Sequence, residues 1–161
     1  MCRIARLVIL LFVVFLSACR AKWPYEGKSA AELEQMLRDS NPAVQAQGAF
    51  GLSRLGSEAR AAVPALVDAL KKDRLVRKNA ALALGQIGPD ARDAVPALSE
   101  ALSDSEWAVR RQAALALGQI GPEARKAIPA LEKVRRDPDP LVRQAAQKAL
   151  KQIRVPPGVP R

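Results

Sequence analysis

The stretch ALALGQIGPDARDAVPAL runs from Ala81 to Leu98, and thirty-three residues later it returns as ALALGQIGPEARKAIPAL, Ala114 to Leu131. Each copy holds a Gly-x-x-Gly followed at once by proline. Such a segment is either a glycine-rich loop that grips a ligand or the joint of a repeating scaffold. The spacing of the flanking residues decides between them. Val44, Val76, Val109 and Val142 recur at intervals of 32, 33 and 33, and Leu55, Ile87, Ile120 and Ile153 do the same. Gly56, Gly88 and Gly121 follow the first three of these, and Pro64, Pro96 and Pro129 keep step. A period in this range marks stacked supersecondary units, each unable to bury its apolar face alone.

Each unit predicts two helices. Val76, Ala80, Leu84 and Ile87 fall on one helical face, which Ala81 and Leu82 widen. Val95, Leu98 and Leu102 mark a second, more amphipathic helix. Alanines at 80, 81, 83, 113, 114 and 116 permit close helix packing and favour helix intrinsically. In the first unit Gly48 and Gly51 take the places of Ala80 and Ala83, which keeps the contact small at a cost in helix propensity of about 1 kcal/mol each. Gly88 is expected to end the first helix in a left-handed residue, and Pro89 cannot continue it. Asp90, Glu123 and Glu58 put a carboxylate where the next segment begins and its dipole is positive. Pro96 suits a first turn, so a short turn over 90–94 and a helix from about Val95 to Leu102 are predicted. Counted from the valine helix, three full units span 41–73, 74–104 and 105–137, with half units at 29–40 and 138–153. Ser29-Ala30-Ala31-Glu32 is a capping box that starts a helix on Leu33, Met36 and Leu37. In the trailing half unit Lys148 replaces the Phe50, Leu82, Leu115 position, Gln147 replaces Ala81 and Ala114, and Lys151 replaces Gly85 and Gly118. These changes supply the polar outer face that a terminal repeat needs.

The motif V-R-x-x-A-A-x-A-L-G-x-I-G-P-x-A-x-x-A-[VI]-P-A-L resembles HEAT repeats, in particular the short HEAT-like repeats of phycobilisome lyase proteins. The likeness covers nearly all of 41–153. It implies an all-α, right-handed α-solenoid of HEAT-like helical hairpins, about eight helices, that binds proteins. Arg77, Arg110 and Arg143 match the arginine after the family's valine, and Asp104 and Asp137 match its loop aspartate. The resemblance implies a polar ladder between repeats. Gln45 in the arginine place and Lys72 in the aspartate place, with Asp73 beside it, make the ladder incomplete at the front.

The first eighteen residues are a separate object. MCRIAR carries Arg3 and Arg6, an apolar run covers Leu7 to Leu16, and Ser17, Ala18 and Cys19 follow. This is the pattern of a secretory signal peptide. Ten helical residues span only ~15 Å, about half a bilayer core, which excludes a spanning helix in that run. Leu16-Ser17-Ala18-Cys19 resembles the lipobox of bacterial lipoproteins. That implies cleavage before Cys19, a lipid on Cys19, and an extracytoplasmic protein held on a membrane. The domain plan is then a signal peptide at 1–18, a lipidated cysteine and tether at 19–28, a repeat domain at 29–153 and a disordered tail at 154–161. Trp23 and Tyr25 in the tether either sit at the lipid interface or cover the first helix.

With Arg3 and Arg6 removed, 24 basic residues face 16 acidic ones, and the last 29 residues carry eight positive charges against two negative. The sequence has no histidine, and Cys2 lies in the discarded segment. The usual general base, metal ligand and nucleophile are therefore missing, and neither an enzyme nor a metal or cofactor site is expected. The GxxG at Gly85 to Gly88 matches the clamp of KH domains, but Ile87 there is a core position. Metal hydroxylases of HEAT type need histidines and are excluded. The expected function is a non-catalytic protein-binding scaffold, with a chromophore-lyase-like or chaperone-like factor as the alternative and a DNA-binding array third; no nucleic-acid partner is expected outside the cytoplasm. Candidate partner-binding residues are those where the copies differ: Trp107, the cluster Lys71, Lys72, Arg74 and Lys78, and Arg135 and Arg136 near the basic C-terminal end.

Overall fold

The computed structural model describes residues 23–154. The signal peptide, Cys19 and the tail beyond 154 lie outside the described residues. Within them every regular element is helical. We name the α-helices α1 (Ala30–Leu37), α2 (Pro42–Leu55), α3 (Val63–Ala69), α4 (Arg74–Ile87), α5 (Val95–Ala101), α6 (Trp107–Ile120), α7 (Ile128–Val134) and α8 (Pro140–Arg154). Three 3₁₀ segments, Gly56–Ala62, Gly88–Ala94 and Gly121–Ala127, join α2 to α3, α4 to α5 and α6 to α7.

The long helices α2, α4, α6 and α8 stack on one another and form the most extensive contacts in the molecule. The short helices make a second layer. Each of them packs most closely on the long helix that follows it, not on the one that precedes it. The packing unit is therefore short helix, aspartate loop, long helix, and the described chain is four such hairpins: α1/α2, α3/α4, α5/α6 and α7/α8. The division into three units flanked by two halves is corrected by this pairing. A periodic sequence does not fix where a unit starts, and the segment from long to short helix is occupied by a 3₁₀ spacer that holds the two apart.

The ends of the helices follow from local chemistry. Ser29 and Glu32 close the capping box at α1, with the Ser29 N–H donating to Glu32 Oε2 at 2.9 Å. Asn41 caps α2 by accepting from the Ala43 N–H, and Asp73 caps α4 by accepting from the Leu75 N–H. Gly56, Gly88 and Gly121 end the long helices at φ of 56°, 74° and 79°. The positive φ agrees with a left-handed residue, but ψ at Gly88 is −139°, far from the left-handed helix. This is mirror-image extended backbone, which glycine alone adopts freely. It turns the chain sharply enough for a 3₁₀ segment to start at once. Pro64, Pro96 and Pro129 are each second in a short helix, where no donor is missed.

The core runs unbroken along the stack. Leu52, Leu84, Leu117, Leu66, Leu98 and Leu131 are fully buried, as are Ala81, Ala83, Ala113, Ala114 and Ala116. Glycine sets the closest approaches. A Cβ on Gly85 would stand 3.0 Å from Ala116 Cα, and one on Gly118 would stand 2.9 Å from Ala149 Cα. Each glycine thus lets the next long helix lie directly on its own. Gly48 and Gly51 do the same for the other side of α2, where added methyls would meet Met36 Cβ at 2.8 Å and Leu33 Cδ2 at 2.5 Å.

The described part of the expected tether, 23–28, is not extended chain. It turns at Gly27 and docks. Trp23 stacks on Tyr25 at a ring separation of 6.2 Å, and Tyr25 meets the edge of Phe50 at 5.2 Å. Tyr25 therefore covers the front of the stack, while Trp23 stays 62% exposed.

Candidate functional site

The arginines at the second place of the long-helix motif have two kinds of partner, of which Arg143 meets only the first among the described residues. One is the backbone of their own loop. Arg77 Nη1 donates to the Lys72 carbonyl at 2.8 Å, Arg110 Nη1 to Asp104 and Ser105, and Arg143 Nη1 to Asp137 and Pro138. Gln45, in the same place, reaches the Asp39 carbonyl through Nε2. The other partner is the aspartate of the next loop. Arg110 clasps Asp137 with two aligned bonds, Nε to Oδ2 at 2.7 Å and Nη2 to Oδ1 at 2.9 Å. Arg77 makes one aligned bond, Nη2 to Asp104 Oδ1 at 3.0 Å, while its Nε lies 2.7 Å from Oδ2 in poor alignment. Lys72 has no carboxylate to offer Gln45, and Asp73 beside it is engaged as a helix cap.

The electrostatics follow this geometry. The Arg110 hydrogen bond, against the opposing effect of burial, holds the Asp137 carboxyl below the usual aspartate range, and Asp137 in turn raises Arg110. At Asp104 burial is the largest influence and pushes upward; bonds from Arg77 and the Glu106 N–H outweigh it and leave the group lowered. Both aspartates also shape the following loop, Asp104 by accepting from the Glu106 N–H and Asp137 from the Asp139 N–H, each at 2.9 Å. The ladder is structural cement, and it sets the start of α6 and α8.

Trp107 begins α6 directly after that loop and is 45% exposed. Leu75 and Leu141, each second in its long helix, are exposed to a similar degree. Lys71, Lys72 and Arg74 are exposed, and Lys78 is half-buried one turn into α4. Arg135 pairs with Glu132 at 2.9 Å, and Arg136 is exposed. Arg135 and Arg136 come together with Glu132, Lys133 and Gln147 around a groove of about 450 Å³. Trp107, Arg74 and Lys78 lie outside that groove.

Sequence reasoning missed a second groove, about 460 Å³, between α6 and α8. Arg111, Leu115, Leu141, Gln147, Lys148 and Lys151 are among its lining residues. Its residues did not stand out in the sequence, because Leu141 repeats the exposed Leu75 and the half-buried Arg111 stands in the place of Lys78. Among the described residues no group of three His, Cys, Asp or Glu is placed to hold a metal ion, and no helix is long and apolar enough to cross a membrane.

A stack of helical hairpins joined by an inter-repeat ladder, with grooves open along its sides, is an α-solenoid of the repeat class. The chain belongs to the HEAT-repeat family: the model for HEAT repeats matches residues 30–93 and again 89–151. No curated protein is similar enough in sequence to be matched. Among solved structures, human deoxyhypusine hydroxylase in complex with glycerol is 32% identical, with a TM-score of 0.60 over 80% of this chain. A designed armadillo repeat protein in complex with the peptide (KR)4 is 21% identical, with a TM-score of 0.68 over 77%. A chain from the complex of CpcE and CpcF of phycocyanin lyase from Nostoc sp. PCC7120 is 21% identical, with a TM-score of 0.62 over 75%. This chain spans 64% of the armadillo protein and 44% of the hydroxylase, against 86% of the lyase chain.

Proposed function

We propose that this protein is a non-catalytic protein-binding scaffold, held by a lipid on Cys19 to the extracytoplasmic side of a bacterial membrane. The observation that carries the binding role is the exposed side of the long-helix stack. It presents Leu75, Trp107 and Leu141 to solvent on a frame braced between repeats by the Arg77–Asp104 and Arg110–Asp137 pairs. Tryptophan in particular is a frequent anchor of protein interfaces. The structurally similar armadillo design carries a peptide, and the lyase chain works in a protein complex. The membrane anchor rests on the order Leu16-Ser17-Ala18-Cys19 behind a short apolar run. The non-catalytic reading rests on a chain without histidine and with Cys19 as its only cysteine beyond the signal segment.

The chromophore-lyase-like alternative calls for an enclosed apolar pocket. The groove between α6 and α8 is instead open, and Arg111, Gln147, Lys148 and Lys151 stand along it, which favours the scaffold reading. Chemical crosslinking in the intact envelope tests the proposal. A defined protein joined to this chain is expected. Labelling of lipid or nucleic acid alone would contradict it.

A further inference from the structure

We infer that the groove between α6 and α8 docks an acidic segment of a partner protein, one that carries an apolar side chain among its carboxylates. This rests on the scaffold reading and specifies its partner.

Three cations stand along the groove, Arg111 on α6 and Lys148 and Lys151 on α8, and no carboxylate lines it. Five arginines elsewhere are matched, Arg77 and Arg110 by Asp104 and Asp137, Arg38 by Glu34, and Arg135 and Arg154 by Glu132. Other cations, such as Lys71, Lys72 and Arg136, stand without an ion pair among the described residues, but at this groove three of them share one recess whose lining holds no carboxylate. Arg111, Lys148 and Lys151 have no ion-pair partner among the described residues. Two of the three places carry no charge in any other repeat. The counterparts of Arg111 are Ala46, Lys78 and Gln144; those of Lys148 are Phe50, Leu82 and Leu115; those of Lys151 are Ser53, Gly85 and Gly118. An exposed face needs polarity, but either sign supplies it, so three unpaired charges of one sign are a surplus.

The basic surface continues around α8. Gln147 also lines the groove with Lys133, Arg135 and Arg136, and a third of about 340 Å³ with Arg135, Lys151 and Arg154. Three grooves thus meet at one amide, which can both donate to and accept from a peptide backbone. Leu115 and Leu141 give the first groove an apolar lining, and Leu141 is 43% exposed. A flat bilayer cannot enter a recess between two helices. No aromatic residue lines the recess to stack a nucleobase. Complementary charge of this kind sets partner choice and speeds encounter.

The test uses the purified full chain and a fluorescein-labelled peptide of alternating glutamate and leucine, followed by fluorescence anisotropy. Its control is the same peptide with lysine for glutamate. The acidic peptide is expected to bind at least about tenfold tighter than the basic one, and to weaken as salt shortens the screening length to about 10 Å near 0.1 M. Reversing Arg111, Lys148 and Lys151 to Glu together should lower affinity at least about tenfold. Lys148→Arg with Lys151→Arg should keep it, as should Arg92→Glu with Arg125→Glu on the exposed 3₁₀ segments. Circular dichroism of each variant verifies the fold. Equal binding after the triple reversal overturns the proposal. So does an equal loss from the Arg92 and Arg125 reversal, or tighter binding through these three residues to phosphatidylglycerol vesicles or duplex DNA. If the groove fails while crosslinks to a protein persist in the envelope, the scaffold reading stands; if those crosslinks are missing as well, both fall.

Discussion

Asp137 and Asp104 fill the same place in successive repeats, yet they are not held alike. The two aligned bonds from Arg110 and a side chain only 7% exposed make the Asp137 rung the stronger. Asp137→Asn is expected to cost about 1–3 kcal/mol in urea unfolding, because a part-buried guanidinium loses its counter-charge. Asp104→Asn should cost less; equal costs would show that rung geometry does not matter. The same pair fixes a pH dependence. Both carboxyls lie below their ordinary value in the folded chain, whereas in the unfolded chain they titrate near about 3.9. Their contribution is therefore complete above that value and is lost as pH falls through the lower folded values. Melting followed by circular dichroism should show a steep acid loss in the parent and a shallower one in the double Asn variant. Trp107 is a separate matter at this scale. Its indole does not belong to the buried core, so Trp107→Ala should leave the melting temperature nearly unchanged while reducing recovery of the crosslinked partner. Full recovery would make the side chain dispensable.

At the scale of the element, the opening segment changes meaning. Its first glycine, Gly85 or Gly118, is the surface on which the next long helix lies; its second, Gly88 or Gly121, turns the chain into the 3₁₀ spacer. Gly118→Ala should destabilise by about 1–3 kcal/mol, since the new methyl would press on Ala149 backbone and force the helices apart. Lys151→Ala, at the aligned and exposed place on α8, should change stability little; a Gly118 variant as stable as the parent would refute the close-packing account. Much of this was legible beforehand. Helix positions, the turn before Val95 and the capping box at Ser29 follow from period and local chemistry. Two things were not. Whether a short helix pairs forward or backward depends on contacts across repeats, which periodicity cannot rank. The groove beside α8 was hidden because its residues come from different repeats, and Lys148 and Lys151 already had a sufficient explanation as the polar face of a last helix.

For the whole molecule, contacts are made mainly between neighbouring repeats, so stability adds along the stack and the outer surface is free to vary. That freedom separates two sets of residues. Those the copies share, such as Leu84, Leu117, Gly88 and Gly121, build the frame; those that differ, Trp107, Arg111, Lys148 and Lys151, face solvent. The anchor belongs to this scale too. Cys19→Ser should move the protein from the membrane to the soluble fraction, and unchanged fractionation would sink the lipid attachment. The central claim, that the differing surface residues and not the shared joints carry the function, is tested most directly by placing a photocrosslinking amino acid singly at Trp107, Lys148, Asp90 and Glu123 and irradiating intact envelopes. The account predicts a protein adduct from Trp107 or Lys148 and none from Asp90 or Glu123. Adducts from the joint positions alone would contradict it.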